Sequence, residues 1–169
     1  IVSNGTTYTN TSYDINPGNV KLFPWLSNVA RSYQQYRIHG MVFVFKTLTS
    51  EYAAAGGMGQ VILATNYNVN DDAFTTSIQM ENSEYAVAVK PSRSALHPLE
   101  CANAVRRNAP FYVYDPDSNT TGAVTDKRFR DMGKFQIATE GLSTAVDVTI
   151  GQLWVTYEVE LIKPVLPYA

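Results

Sequence analysis

The chain has 169 residues, of which 45% are hydrophobic and 17% charged, and its net charge is -2. A length of this order predicts one domain with a core large enough to need no disulfide framework. The wealth of apolar residues excludes disorder, no apolar run approaches the ~20 residues of a membrane-spanning helix, and the acidity excludes the bulk positive charge that drives sequence-independent nucleic-acid binding.

Tyr, Thr and Val recur along the chain, a composition suited to strands. Thr6 to Ile15, rich in Thr, Tyr and Asn, reads as a polar edge strand. After the turn signal Asn16-Pro17-Gly18, the segment Pro24 to Tyr36 carries Leu26, Val29, Ala30 and Tyr33 at helical spacing. Arg37 to Thr47 and Gln60 to Thr65 are apolar on both faces, as central strands are. The glycine-containing stretch Ala53 to Gly59 between them leads into a strand and lacks a Lys-Ser/Thr ending, so it reads as a loop and not a phosphate cradle.

Asp71 to Met80 opens with two acids and suits one or two helical turns. Glu84 to Lys90 alternates, with Tyr85, Val87 and Val89 on one face, while Ser94 to Cys101 contains Pro98 and so belongs at an edge. Phe111 to Tyr114 is a shorter strand, and Lys134 to Thr139 directs Phe135 and Ile137 inward. Gln152 to Leu161 places Leu153, Val155, Tyr157, Val159 and Leu161 on one face and Gln152, Thr156, Glu158 and Glu160 on the other. Eight strands with partly helical crossovers predict an all-β, antiparallel two-sheet sandwich, for which the jelly roll is a common eight-strand solution.

Reacting groups are scarce. The two histidines are His39, inside an apolar strand, and His97, in a loop-like stretch; they form no metal-binding pair, and no nucleophile motif accompanies His39. The expectation is therefore a protein that is not an enzyme. Asn66 to Asp72 is oxygen-rich, with Asp71 and Asp72 suiting either Ca²⁺ or a helix cap, and Asp115 and Asp117 flank Pro116 as in a turn. Arg106-Arg107 and Lys127, Arg128 and Arg130 are the basic clusters, able to meet phosphates or to pair at a solvated or interface surface. Asn4, Asn10 and Asn119 open glycosylation acceptor patterns, read as chance matches because no secretory leader is visible at Ile1. Cys101 is the single cysteine and reads as a buried thiol.

Ile15-Asn16-Pro17, then Leu22-Phe23-Pro24-Trp25-Leu26-Ser27 with Ala30, Tyr36 and Arg37, resembles the start of the capsid shell domain of tombusvirus-like viruses. Gly151 to Leu161 with Pro164 resembles that family's last shell strand, Gln60 to Tyr67 its fourth and Gly133 to Gly141 its seventh. The same fold also occurs in capsids of some small circular single-stranded DNA viruses. The resemblance implies an eight-stranded jelly roll with short helices in the crossover loops, spanning residues 1–169 as a single shell domain. It implies a structural capsid protein of the virion, assembling with many copies of itself into an icosahedral shell around the viral genome.

Three further expectations come from the resemblance. Intersubunit Ca²⁺ in the family is supplied by an acidic run after the fourth strand; here Asp71 and Asn68 are the matching metal candidates, and the neutral amides of Asn66 and Asn68 weaken that site because Ca²⁺ affinity rises with ligand charge. No other cofactor is implied. Viral nucleic acid is expected to be held by a basic N-terminal arm, absent from this chain, so that no nucleic-acid residue is assigned within it. The chain ends soon after the last strand, leaving no projecting domain and implying a smooth shell. Low charge and many aromatics suit surfaces buried against sister subunits, with Pro24 to Tyr36 and Asp71 to Asn82 as the expected contacts. The alternatives are a carbohydrate-binding, lectin-like jelly roll and, with two histidines, a jelly-roll enzyme.

Overall fold

Alternation of side chains on extended backbone dictates most of what folds here. The computed structural model describes residues 1–3, 5–53, 58–101, 110–114, 126–142 and 148–165, with nothing described of the Ser3 side chain. In chain order the elements are β1 (Val2–Ser3), β2 (Thr9–Asp14), α1 (Leu26–Ala30), β3 (Tyr33–Thr47), β4 (Gln60–Asn66), α2 (Ser77–Glu81) and β5 (Val87–Val89). They continue with β6 (Ala95–Pro98), β7 (Phe111–Tyr112), α3 (Lys127–Arg130), β8 (Lys134–Glu140), β9 (Val148–Thr149) and β10 (Gly151–Pro164).

The strands form two packed four-stranded antiparallel sheets. One runs β10-β3-β6, with β7 pairing the start of β3; the other runs β2-β8-β4-β5, and the short β1 and β9 pair separately. All eight expected strands are present, with β3 and β4 interior and β2 and β6 at edges, as their apolar and polar patterns require. The inward faces meet in one core. Phe43 of β3 stacks on Phe135 of β8 with ring centroids 3.8 Å apart, and Phe23, ahead of α1, meets Tyr157 of β10 edge-on at 5.1 Å.

β3 carries a bulge that shifts the parity of its inward residues. Gly40 faces Glu158 and Ile38 faces Val159, which leaves His39 as the extra residue. Tyr36 and Ile38 point inward before it, and Met41, Phe43 and Phe45 after it. Close approach fixes two glycines. A Cβ on Gly59, whose φ is +84°, would lie 2.5 Å from the Glu140 carbonyl oxygen, and one on Gly151 would lie 2.6 Å from the Lys46 carbonyl oxygen.

Several local expectations are corrected. Helical spacing over Pro24 to Tyr36 yields only α1, because Tyr33 to Tyr36 instead find ladder partners in Leu161 to Pro164. The Glu84 to Lys90 strand contracts to Val87–Val89, since Tyr85 takes a left-handed φ of 59° and is exposed. His97 lies in strand β6 and is buried, whereas His39 is exposed. Cys101 is half-buried against the core, its thiol directed at the Leu99 carbonyl. No described helix is long and apolar enough to cross a membrane.

Candidate functional site

The exposed surface divides into crossovers, an open sheet face and one polar corner. α1 buries Leu26, Ser27 and Ala30 and leaves Trp25 71% exposed. α2 is capped by Thr76, whose hydroxyl accepts from the Gln79 N–H at 3.3 Å; it buries Met80 against Ile62, Ala64 and Ala138 and leaves Ile78 70% exposed. Trp25 and Ile78 thus sit on the two segments expected to meet other subunits.

On the open face of the first sheet, pairing aligns Trp154 of β10 with Val44 of β3 and Leu96 of β6. Trp154 is 51% exposed and lies under the Lys46 ammonium, 3.6 Å from the ring centroid. Alternation in β10 was the signal for this residue, since Trp154 shares the parity of Gln152 and Thr156. Farther along the face, Glu160 accepts from Arg37 at 3.4 Å and lies 3.1 Å from His39 Nε2, so His39 belongs to a surface ion cluster.

His97 is structural. Its Nδ1–H donates to the Tyr85 carbonyl at 3.0 Å, and Nε2 lies 2.8 Å from the Thr65 hydroxyl, which donates to it. Burial pushes its pKa below the ordinary histidine value, with the Tyr85 carbonyl opposing. Burial thus disfavours the charged form of the ring.

The residues expected to ligate a metal come together at the end of β4. Asn68 donates through Nδ2 to Asp71 Oδ1 at 2.6 Å, and Asn66 donates through Nδ2 to Asp71 Oδ2 at 3.4 Å. Their amide oxygens are also engaged, Asn66 Oδ1 by the Asn68 N–H at 2.9 Å and Asn68 Oδ1 by the Asn70 N–H at 3.4 Å. Lys134, first residue of β8 and only 8% exposed, donates its ammonium to the Asp71 carbonyl. Sequence reading placed Lys134 in a strand but gave it no role; its one signal was a cation opening an otherwise buried strand.

Beside this corner Arg128 makes a two-pronged contact with Asp126, at 2.9 and 2.6 Å to Oδ2 and 3.0 Å to Oδ1. That pairing, with the Arg128 backbone N–H and a bond from Asn70 adding to it, brings the Asp126 carboxyl down to about 2. Arg130 donates to Asp131 at 3.1 Å and lies over the Tyr114 ring, while Lys127 stands 3.9 Å from Asp14. Burial raises the Asp131 pKa against the opposing pull of Arg130. The second basic cluster is therefore paired within the subunit.

These donors do not fit a Ca²⁺ site as arranged. Such a site needs several free oxygens and uncompensated negative charge, whereas both Asp71 carboxylate oxygens already accept amide protons and a lysine holds its carbonyl. Among the described residues no group of three or more His, Cys, Asp or Glu could hold a metal ion. Arg106-Arg107, Asp115, Asp117, Asn4, Asn119 and most of the glycine-containing loop lie outside the described residues.

Two antiparallel four-stranded sheets joined by short-helix crossovers, with apolar side chains exposed on those crossovers, define a jelly-roll domain of the kind found in viral shells. The match to known proteins is specific: residues 2–167 fit the family model of the viral coat protein S domain, and the chain belongs to that family. It is 26% identical to the capsid protein of Oat chlorotic stunt virus, over 96% of this chain and 33% of that protein. It is 25% identical to the Carnation mottle virus capsid protein, over 95% of this chain and 42% of that one. The chain thus spans well under half the length of these relatives. Among solved structures, tobacco necrosis virus superposes with a TM-score of 0.81 at 18% identity, covering 96% of this chain and 77% of that one. Cucumber necrosis virus gives 0.81 at 19% identity, covering 100% and 54%. These likenesses establish the jelly-roll fold.

Proposed function

We propose that this chain is the shell-forming part of a virus capsid protein: a structural, non-catalytic component of the virion that joins copies of itself into an icosahedral shell around the genome. The observation that carries this reading is the coat-protein S-domain match over residues 2–167. The exposed Trp25 and Ile78 on the two crossovers support it, because apolar side chains of this size on a weakly charged surface gain free energy when a neighbour covers them. Contacts between copies around five-fold and three-fold axes are heterologous and close into rings, so a crossover used there meets a different patch on the next copy.

The described cations also bear on the genome. Arg37, Lys127, Arg128 and Arg130 each have a carboxylate partner, and Lys46 lies over Trp154. Phosphate contact by these five would have to break an existing contact first, whereas Lys21, Lys90, Arg93 and Lys163 are exposed. Electron microscopy and size-exclusion chromatography of the purified protein, across salt and pH, test the reading. Closed particles are the expected result, and Trp25→Ser or Ile78→Ser lowers their yield while leaving the subunit folded. A monodisperse monomer under every condition overturns it.

A further inference from the structure

The corner between the 66–72 loop and β8 lies where the resemblance implies a divalent cation, and both Asp71 carboxylate oxygens there already accept hydrogen bonds from the protein. We propose that Lys134, together with the Asn66 and Asn68 amides, replaces a divalent cation as the tie of this corner, making both the loop and any subunit contact through it independent of Ca²⁺.

Three observations carry it. First, the one carboxylate of the loop that faces its neighbours, Asp71, has one oxygen on Asn68 and the other on Asn66, so a cation would have to displace two amide donors. Second, Lys134 brings a positive charge to the same residue's carbonyl from β8. It is buried at a position that faces Asn66 on β4 and Asp14 on β2, so its stem is held by both neighbouring strands. A divalent ion at the Asp71 carboxylate would bind the residue whose carbonyl already holds this ammonium, and like charges repel. Third, the next carboxylate along, Asp126, is occupied by Arg128 and Asn70 and has no free pair of oxygens to lend. Asp72, the other acid of the loop, is exposed, so Asp71 and Asp126, the two carboxylates with partners at this corner, are engaged by the protein's own donors, where a Ca²⁺ site needs free carboxylate oxygens.

Because Lys134 reaches across from β8, it also fixes the loop to the sheet. A hydrogen bond from a charged donor to a carbonyl, once lost, exposes the loop backbone to solvent more often. Lys134→Met keeps the apolar stem and removes the ammonium, and amide hydrogen exchange over residues 68–73 is expected to speed up about tenfold. Lys134→Arg, which keeps the charge, is expected to restore most of the protection.

The decisive experiment compares the wild-type chain in EDTA and in millimolar CaCl2. Thermal melting and exchange over residues 66–72 are expected to coincide in the two buffers, and assembled particles to sediment identically. A calcium-dependent rise in Tm that Asp71→Asn abolishes overturns the proposal, as does slower sedimentation of particles after chelation. Unchanged exchange in Lys134→Met overturns the role of the lysine. The melting and exchange arms use the unassembled subunit, so failure to form particles counts against the capsid reading and leaves these results standing. Only the sedimentation arm rests on that reading.

Discussion

The two sheets share a core but differ on their outer faces. In the second sheet β4 and β8 are buried on both faces, because the α2 crossover lies over Ile62, Ala64 and Ala138. In the first sheet β10 alternates between partly buried and exposed residues along its length, leaving Trp154 and Leu96 open to solvent. One sheet is covered on both faces within the subunit, and the other leaves residues of one face open to solvent. The sequence pattern already differs accordingly, since Val61 to Ala64 is apolar at every position whereas QLWVTYEVEL alternates along most of its length.

The largest effect should come from a residue at the contact between the two sheets. Phe43→Ala removes the ring stacked on Phe135 and leaves a cavity between the sheets, at a cost of about 3–5 kcal/mol. Urea unfolding should show it as a lower midpoint with an unchanged slope. A double-mutant cycle with Phe135→Ala should give a coupling of about 1 kcal/mol, the part due to ring-on-ring packing. Coupling near zero would mean that the sheets do not meet there.

Next in size is a test of the covered face. Ile62→Ala lies on the side of β4 turned toward Met80 and is expected to cost about 2–4 kcal/mol, close to a core substitution. A cost below about 1 kcal/mol would show that the α2 crossover lies loosely on the sheet and that the contrast between the two outer faces is false.

Smaller again is the effect of His97, which links the sheets through Thr65 of β4 and the Tyr85 carbonyl. Its native pKa is lowered by burial, so below pH ~6.5 the unfolded chain takes up a proton that the native ring refuses. The stabilisation is therefore present above pH ~6.5 and is lost as pH falls below it, by up to about 1.4 kcal/mol per pH unit. Comparison with His97→Gln isolates this contribution from exposed His39: the wild type should lose stability between pH 7 and pH 5 more steeply than the variant. Parallel profiles would show that His97 is protonated in the native state.

What could be read in advance follows from how local each signal was. Alternation in Gln152 to Leu161 and the apolar runs of β3 and β4 placed strands that pair as expected, because strand burial is written at period two. The Pro24 to Tyr36 segment misled because Leu26, Val29, Ala30 and Tyr33 satisfy helical spacing; the ladder between Tyr33 and Pro164 that overrides it spans nearly the whole chain. The roles of the two histidines were exchanged for a related reason. A bulge at His39 turns that residue outward, and a single sequence does not reveal which β3 residue has no partner. Asn66, Asn68 and Asp71 were read as neighbours, but Lys134 reaches them from a strand more than sixty residues later in the chain, and only the β4–β8 register brings it there.

The smallest effect on the folded subunit is the most informative about the open face. Trp154→Ser removes an exposed indole and its contact with Lys46, worth about 0.5–1 kcal/mol at an exposed site. The subunit should melt within a few degrees of the wild type. The same exposed area covered by another molecule is worth more, since a fully buried aromatic contributes about 1.5–3 kcal/mol. If the open face is a contact surface, Trp154→Ser lowers the yield or salt resistance of particles far more than it lowers Tm, the reverse of Ile62→Ala. Equal losses in both readouts would place Trp154 in the subunit's own stability and leave the crossovers, with Trp25 and Ile78, as the surfaces that meet other copies.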